Sequence, residues 1–195
     1  SLSIMVVFSS VMSFALTKGS ESYVDFWKMI LLLFAGGMLV TGSANTINQV
    51  VEKDTDALMK RTANRPIASG RMSVNEGWVF AVLTGMLGVF MLWYFFNVLS
   101  AALAAFSLFL YAFIYTPLKK VNAISVLVGA FPGGLPCLIG FAAGNDTIMT
   151  GEHGLKDLGG WALFAIQFFW QFPHFWAIAW LAHKDYEAAG FKMLP

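Results

Sequence analysis

The sequence predicts an all-α protein, a polytopic bundle of about six transmembrane helices. Hydrophobic residues make up 58% of the 195 residues and charged residues only 12%. Soluble domains average roughly 45–50% apolar and about 25% charged residues, so this chain has too little polar surface to face water on all sides. Its apolar residues also lie in separate long runs, which is the distribution that a bilayer requires.

Six apolar runs follow one another along the chain with short polar connections. A helix needs about 20 apolar residues to cross the hydrocarbon core, and only the first run is clearly shorter, because the chain begins within it. The runs are Leu2–Leu16, Phe26–Val51, Trp78–Phe96, Leu99–Tyr115, Ile124–Ala143 and Leu158–Ala182. We expect residues 1–195 to form a single transmembrane domain that is cut at both ends.

The distribution of basic residues predicts the orientation in the membrane. Nine of the twelve Lys and Arg follow the second, fourth and sixth runs, and three lie on the other side. The positive-inside rule places the nine-residue side in the cytoplasm or the mitochondrial matrix. A net charge of +1 excludes a broad basic surface for nucleic acid. The single cysteine, Cys137, excludes a disulfide framework within the chain.

Oxygen-bearing side chains follow one another at helical spacing where the second run ends. Asn48, Glu52 and Asp56 are four residues apart, so an uninterrupted helix places them on one face, with Asn45 one turn earlier on the same side. Stacked amide and carboxylate oxygens suit Mg²⁺. Polar groups within a membrane are costly and tend to be functional, so we predict a site here rather than a solvated helix end.

A loop rich in basic residues, Met59–Arg71, follows this acidic face directly. We call it the basic loop. Carboxylates can hold a divalent cation, and guanidinium groups can bind the phosphate oxygens that the cation bridges. Diphosphate becomes a good leaving group once its charge is neutralised in this way. The two segments together therefore predict diphosphate chemistry at the membrane boundary.

Three motifs in this order resemble those of the UbiA-type intramembrane prenyltransferases, and in particular the haem-farnesylating members. The resemblance covers nearly the whole chain. The motifs are Asn48-x-x-x-Glu52-x-x-x-Asp56 with Met59–Pro66, then Tyr115–Lys120, then Trp170–Phe175 with Lys184-Asp185-Tyr186. The family has nine helices, so the resemblance implies that the last three and the start of the first are absent from this chain.

The resemblance implies transfer of a farnesyl group from farnesyl diphosphate to a vinyl group of protohaem IX, with addition of water to give haem O. It implies a bacterial or mitochondrial inner membrane, an active face on the cytoplasmic or matrix side, and a haem A synthase as a partner. Mg²⁺ would be held by Asn48, Glu52, Asp56 and Asp185. Arg65 and Lys119 would join these residues in catalysis. Substrate contacts are expected from Asn45, Arg61, Tyr115, Lys120, His174 and Tyr186.

Two positions depart from the family pattern. Glu52 stands where many members have Asp, which keeps the carboxylate on a longer side chain. Asp185 is followed four residues later by Ala189, where other members place a second acid, so the resemblance does not imply a second Mg²⁺ held by the protein alone. The resemblance implies that the haem-modifying members also lack this further acid in the second motif.

His174 lies within the sixth run, directly after Pro173. Proline removes a backbone donor, so the imidazole could hydrogen-bond the carbonyl that this frees. Alternatively, it could position haem as an axial ligand. The sequence leaves both roles open.

Two other functions remain alternatives at this stage. One is a related prenyltransferase that acts on an aromatic quinone precursor. The other is a cation-coupled membrane transporter that uses the acidic face as its ion site. Transporters place such sites near the midplane on broken helices, whereas this face lies at a boundary beside the basic loop, which favours phosphate chemistry.

Overall fold

The computed structural model describes residues 2–119, 124–148 and 158–181, and it contains no strand within these ranges. The predicted all-helical fold is confirmed. A short 3₁₀ helix, Lys18–Ser22, connects the first two helices, and the chain from Val98 to Leu118 changes from α to π-helix and back. The helices are α1 Leu2–Ala15, α2 Phe26–Val51, α3 Lys53–Leu58, α4 Val74–Phe95, α5 Val98–Leu118, α6 Ser125–Asn145 and α7 Gly159–Leu181.

Each of the six predicted runs coincides with one of the long helices. The largest difference is at the start of α4, which begins at Val74 rather than at Trp78. Ser73 caps this helix together with Glu76 in a capping box, a polar N-terminal motif that an apolar-run prediction does not include. Four helices, α2, α4, α5 and α6, are long and apolar enough to cross a membrane. The protein is therefore an integral membrane protein.

Helix α6 lies at the centre of the bundle and contacts α1, α5 and α7, while α2 packs along α4. Fifteen of the 21 residues of α6 are buried. A helix surrounded by neighbours needs no polar face, which explains why its sequence is apolar throughout. The outer helices instead expose large apolar side chains such as Leu31, Met86 and Phe113, as a lipid-facing surface requires.

Polar side chains of neighbouring helices donate to the backbone carbonyls of α6. Pro136 lacks an N–H group, which frees the Pro132 carbonyl within the helix, and the Ser107 hydroxyl of α5 lies 3.3 Å from this oxygen. Ser13 of α1 donates to the Cys137 carbonyl at 2.6 Å, and Asn97 donates to Ala142 at 2.7 Å. Since buried carbonyl groups have no water to accept from, these bonds fix the helix positions.

Gly140 sets the distance between α1 and α6. A Cβ atom at this position would collide with the backbone carbonyl of Ser10 in α1. Substitution therefore requires a backbone shift rather than a side-chain rotation. Small residues at such contacts allow membrane helices to approach closely.

We predict that Gly140→Ala destabilises the bundle by about 1–3 kcal/mol, the usual cost of overpacking. Thermal unfolding in detergent measures this as a lower melting temperature. Gly42→Ala in α2 is the matched control, because a Cβ atom there meets no atom within 4 Å and should leave stability unchanged or raised. Equal melting temperatures for the two variants would contradict the assigned α1–α6 contact.

Candidate active site

The acidic face at the end of α2 is interrupted by a turn at Glu52. Helix α2 ends at Val51, as predicted, and does not continue through this segment, because Glu52 leaves helical geometry with φ −100° and ψ 14° and the Thr55 hydroxyl donates to its carbonyl at 2.9 Å. The four-residue spacing of hydrogen bonds nevertheless persists. Glu52 N–H donates to the Asn48 carbonyl at 2.9 Å and Asp56 N–H to the Glu52 carbonyl at 2.7 Å. Asn48, Glu52 and Asp56 consequently all remain buried, at 7%, 3% and 0% exposure.

Lys119, just after α5, is the cation that contacts Asn48 and Glu52. Its ammonium donates to Asn48 Oδ1 at 3.2 Å and to Glu52 Oε1 at 3.1 Å. Lys119 is itself only 8% exposed. Burial lowers the pKa of the Lys119 ammonium, and the Glu52 carboxylate opposes that shift. The Thr116 hydroxyl lies 3.3 Å from the same Asn48 oxygen and donates to the Tyr111 carbonyl at 2.8 Å.

Asp56 pairs instead with the basic loop. Arg65 Nη1 lies 2.8 Å from one carboxylate oxygen of Asp56 and 3.0 Å from the other. The Thr62 hydroxyl donates to the Asp56 backbone carbonyl at 2.9 Å. Arg65 is partly exposed whereas Asp56 is fully buried, so the guanidinium bridges the buried acid and the loop surface. The basic loop is thereby fixed beside Glu52 and Lys119.

A π-helical segment, Leu110–Tyr115, is a feature that the sequence analysis missed. The segment places the rings of Tyr111 and Tyr115 side by side, with centroids 5.3 Å apart, and Lys119 Nζ lies 4.5 Å from the centre of the Tyr115 ring. Single π turns within helices are frequent at functional sites. Pro117 is the available sequence signal, because its missing N–H removes one ordinary helical bond at this end.

A largely apolar cavity opens beside this cluster, between α1, α2, α4, α5, α6 and α7. Its volume of about 210 Å³ is more than ten times the roughly 10–15 Å³ that one water molecule needs. Tyr111 and Tyr115 line it near the charged residues, and Leu33 and Leu92 line it deeper in the bundle. The α2 residues that line it extend from Leu33 to Asn45, which is about 18 Å along the helix axis.

The other predicted substrate contacts lie around this cavity or outside the described residues. Asn45 faces the cavity and donates to Ser3 Oγ at 3.0 Å, so it lies apart from the hydrogen bonds of Asn48. His174 also lines the cavity, and its ring stacks on Trp170 at 4.8 Å. Arg61 is exposed on the basic loop. Lys120, Asp185 and Tyr186 lie outside the described residues.

The side-chain oxygens of Asn48 and Glu52 are of a kind that binds Mg²⁺, and they point toward one common position. Within the ranges that the structure describes, no three His, Cys, Asp or Glu side chains form a ready metal cluster. The oxygens of Asn48 and Glu52 do converge on one cationic point, since both lie within 3.2 Å of the Lys119 nitrogen. Mg²⁺ in proteins takes one or two carboxylates together with waters and substrate phosphates, and this pair of oxygens suits that pattern.

Comparison with known proteins identifies the family. Residues 6–195 match the model of the UbiA prenyltransferase family. The chain belongs to the UbiA prenyltransferase family. The resemblance inferred from the three motifs is therefore confirmed at family level. No solved structure matches the chain.

Curated members of the family that are similar to this chain include protoheme IX farnesyltransferases. A protoheme IX farnesyltransferase of Flavobacterium johnsoniae is 47% identical over all of this chain and 61% of its own length. One of Cytophaga hutchinsonii is 44% identical over 97% of this chain and 63% of its own length. A mitochondrial one of Arabidopsis thaliana is 40% identical over 99% of this chain and 42% of its own length. The chain thus spans less than two thirds of these relatives.

The Asp56–Arg65 pair generates a prediction about the basic loop. Asp56→Asn removes the negative charge that holds Arg65, so the loop should open more often and trypsin should cut it several-fold faster at Lys60, Arg61 or Arg71. Limited proteolysis in detergent with mass spectrometry measures this rate. Asp54→Asn is the control, because Asp54 is exposed on the same helix. Wild-type cleavage rates in both variants would reject the anchoring role of Asp56.

Proposed function

We propose that this protein transfers the farnesyl group of farnesyl diphosphate to a vinyl group of protohaem IX, giving haem O. The observation that carries the proposal is a buried cluster of paired acids and cations at one end of an apolar cavity of ligand size. An isoprenoid diphosphate has the same division between a charged head and an apolar chain. The names of the similar family members support the same reaction.

The charged cluster would bind the diphosphate group. Asn48 and Glu52 would hold Mg²⁺, with Asp56 and Asp185 as the further ligands implied by the motifs. The ion supplies electrostatic stabilisation of the departing diphosphate. Arg65 and Lys119 would neutralise diphosphate oxygens from two sides, with Arg61 and Lys120 nearby in the sequence. Their positive charges favour the separated diphosphate over the intact ester, which lowers the barrier to C–O cleavage.

The cavity would hold the isoprenoid chain. Its lining is mainly apolar, with Leu33, Val40 and Leu92 among the residues that reach it, so burial of the farnesyl chain is favoured by the hydrophobic effect. The roughly 18 Å stripe along α2 is long enough for an extended chain of three isoprene units. Its enclosure would also limit the access of water to the allylic carbon.

The acceptor would lie against α7. Trp170 and His174 stack on each other and line the cavity, and flat aromatic surfaces suit a macrocycle. The allylic C–O bond breaks, and the electrons of the vinyl group form the new C–C bond. A water molecule adds to the resulting cation, its proton is released, and a hydroxyl group remains. Asn45, Tyr115 and Tyr186 would complete the substrate contacts.

The setting of the reaction forms part of the proposal. The single transmembrane domain would place its active face on the cytoplasmic or matrix side, where the basic residues of the basic loop and of the α5 end lie. The similarity to both bacterial and mitochondrial relatives supports an inner membrane of either kind. A haem A synthase, which consumes haem O, is the proposed partner.

The direct test is an assay of the protein in detergent with farnesyl diphosphate, haem and Mg²⁺. We expect the haem mass to increase by farnesyl plus water, and Glu52→Gln to lower kcat/KM by at least about 10²-fold, as loss of one key electrostatic group does. Chelation of divalent cations should also abolish product. Asp54→Asn should retain activity. Prenylation of an aromatic acid instead of haem would show that the proposed acceptor is wrong. Cation flux in liposomes without product would favour a transporter.

A second experiment tests the assignment of the cavity to the isoprenoid. Val40 lies midway along the α2 stripe and lines the cavity, so Val40→Phe should shorten the available space. The ratio of kcat/KM for geranyl diphosphate over farnesyl diphosphate should then rise, which competition assays measure. Leu31→Phe is the control, because Leu31 is 68% exposed on the outer face of the same helix. An unchanged ratio in Val40→Phe would contradict the placement of the isoprenoid chain in this cavity.

A further inference from the structure

Two oxygens of the candidate active site converge on a cation that the chain itself supplies. Lys119 Nζ lies 3.1 Å from Glu52 Oε1 and 3.2 Å from Asn48 Oδ1. All three residues are buried, with exposures of 8% or less. Asn48 and Glu52 are also the residues that would hold Mg²⁺ under the proposed function. The ammonium group and the metal ion therefore require the same two oxygens.

The two cations compete for these oxygens. Mg²⁺ binds oxygen at about 2.0–2.1 Å, roughly 1 Å closer than the ammonium nitrogen lies to the same atoms. An ion at that distance from both oxygens would lie close to the nitrogen, and the two positive charges would repel each other strongly in a buried site. Asp56 offers no alternative as it stands, since both of its carboxylate oxygens accept from Arg65.

We propose that Lys119 and the divalent cation occupy the Asn48–Glu52 oxygens alternately, so that metal binding displaces the ammonium and directs it to the diphosphate. The Lys119 ammonium keeps the buried Glu52 carboxylate paired until the ion arrives, and it then becomes a diphosphate contact. The inference rests on the proposed function, because that function brings the metal and the diphosphate to this cluster.

The displaced side chain has a second partner within reach. Lys119 Nζ lies 4.5 Å from the centre of the Tyr115 ring, and this ring lines the cavity. A cation over an aromatic face is stabilised electrostatically. Movement across the ring would carry the ammonium toward the end of the cavity beside the charged cluster, where the diphosphate would lie. Gly129 leaves room for the ring, because a Cβ atom there would lie 2.5 Å from Tyr115 Cε2.

Isothermal titration of the detergent-solubilised protein with MgCl₂ tests the competition. If the ammonium occupies the oxygens nine tenths of the time, Lys119→Met should lower the apparent Kd by about tenfold. Lys53→Met is the matched control, because Lys53 adjoins Glu52 in sequence and is exposed, and its Kd should stay at the wild-type value. A Kd for Lys119→Met equal to or above the wild-type value overturns the proposal.

Thermal unfolding gives a readout that does not depend on activity. Lys119→Met leaves the Glu52 carboxylate buried without its partner, so its melting temperature should fall. Saturating MgCl₂ should restore most of this loss, because the ion takes the place of the ammonium. A loss of stability that MgCl₂ does not restore contradicts alternate occupancy.

Amine labelling of the wild-type protein keeps the proposal testable if Lys119→Met does not fold. MgCl₂ should raise the modification of Lys119 severalfold, as measured by mass spectrometry, while Lys53 serves as the internal reference. Unchanged labelling of Lys119 at saturating MgCl₂ overturns the proposal. Failure of the proposed function is distinguishable, because a protein that shows this competition but makes no farnesylated haem rejects the reaction alone. Farnesyl transfer without the competition rejects only the role of Lys119.

Discussion

The geometry of the candidate site depends on the pairing of one buried carboxylate, Glu52, with one buried ammonium, Lys119. Their side chains are 4% and 10% exposed, so neither charge is well solvated by water. A buried charge without a partner is strongly unfavourable, and breaking such a pair by removing one member typically costs about 3–5 kcal/mol. The pair therefore holds the end of α2 against the end of α5. Asn48 strengthens it by offering a second acceptor to the same nitrogen.

The same constraint explains the arrangement of the neighbouring elements. Asp56 is one turn farther along and equally buried, and it obtains its cation from the basic loop through Arg65. Two acids are thus matched by two bases from different segments. The four charges fix α3, the basic loop and the end of α5 around one point.

The sequence predicts the helices well and their local irregularities poorly. Long apolar runs report directly on residues that cannot face water, so α2 begins and ends at the predicted residues. The turn at Glu52 depends on competing donors at one carbonyl, and the π-helix at Leu110–Tyr115 lies where Pro117 removes one ordinary helical bond. Helical periodicity contains neither kind of information. The pairing of Lys119 with Glu52 joins residues 67 positions apart, and periodicity in a single sequence cannot specify such a contact.

The charge balance of the cluster bears on how an anionic substrate could enter it. Glu52 and Asp56 carry two negative charges, and Lys119 and Arg65 carry two positive ones, so these four groups are neutral together. A terminal phosphate alone adds about −1.5 to −2, and the apolar cavity beside the cluster offers little to offset it. Positive charge that enters together with a diphosphate would therefore favour its binding to these four groups. A divalent ion that takes the oxygens of Asn48 and Glu52 would supply that charge. It would also release Lys119 toward the phosphates, so one exchange would neutralise the substrate from both sides.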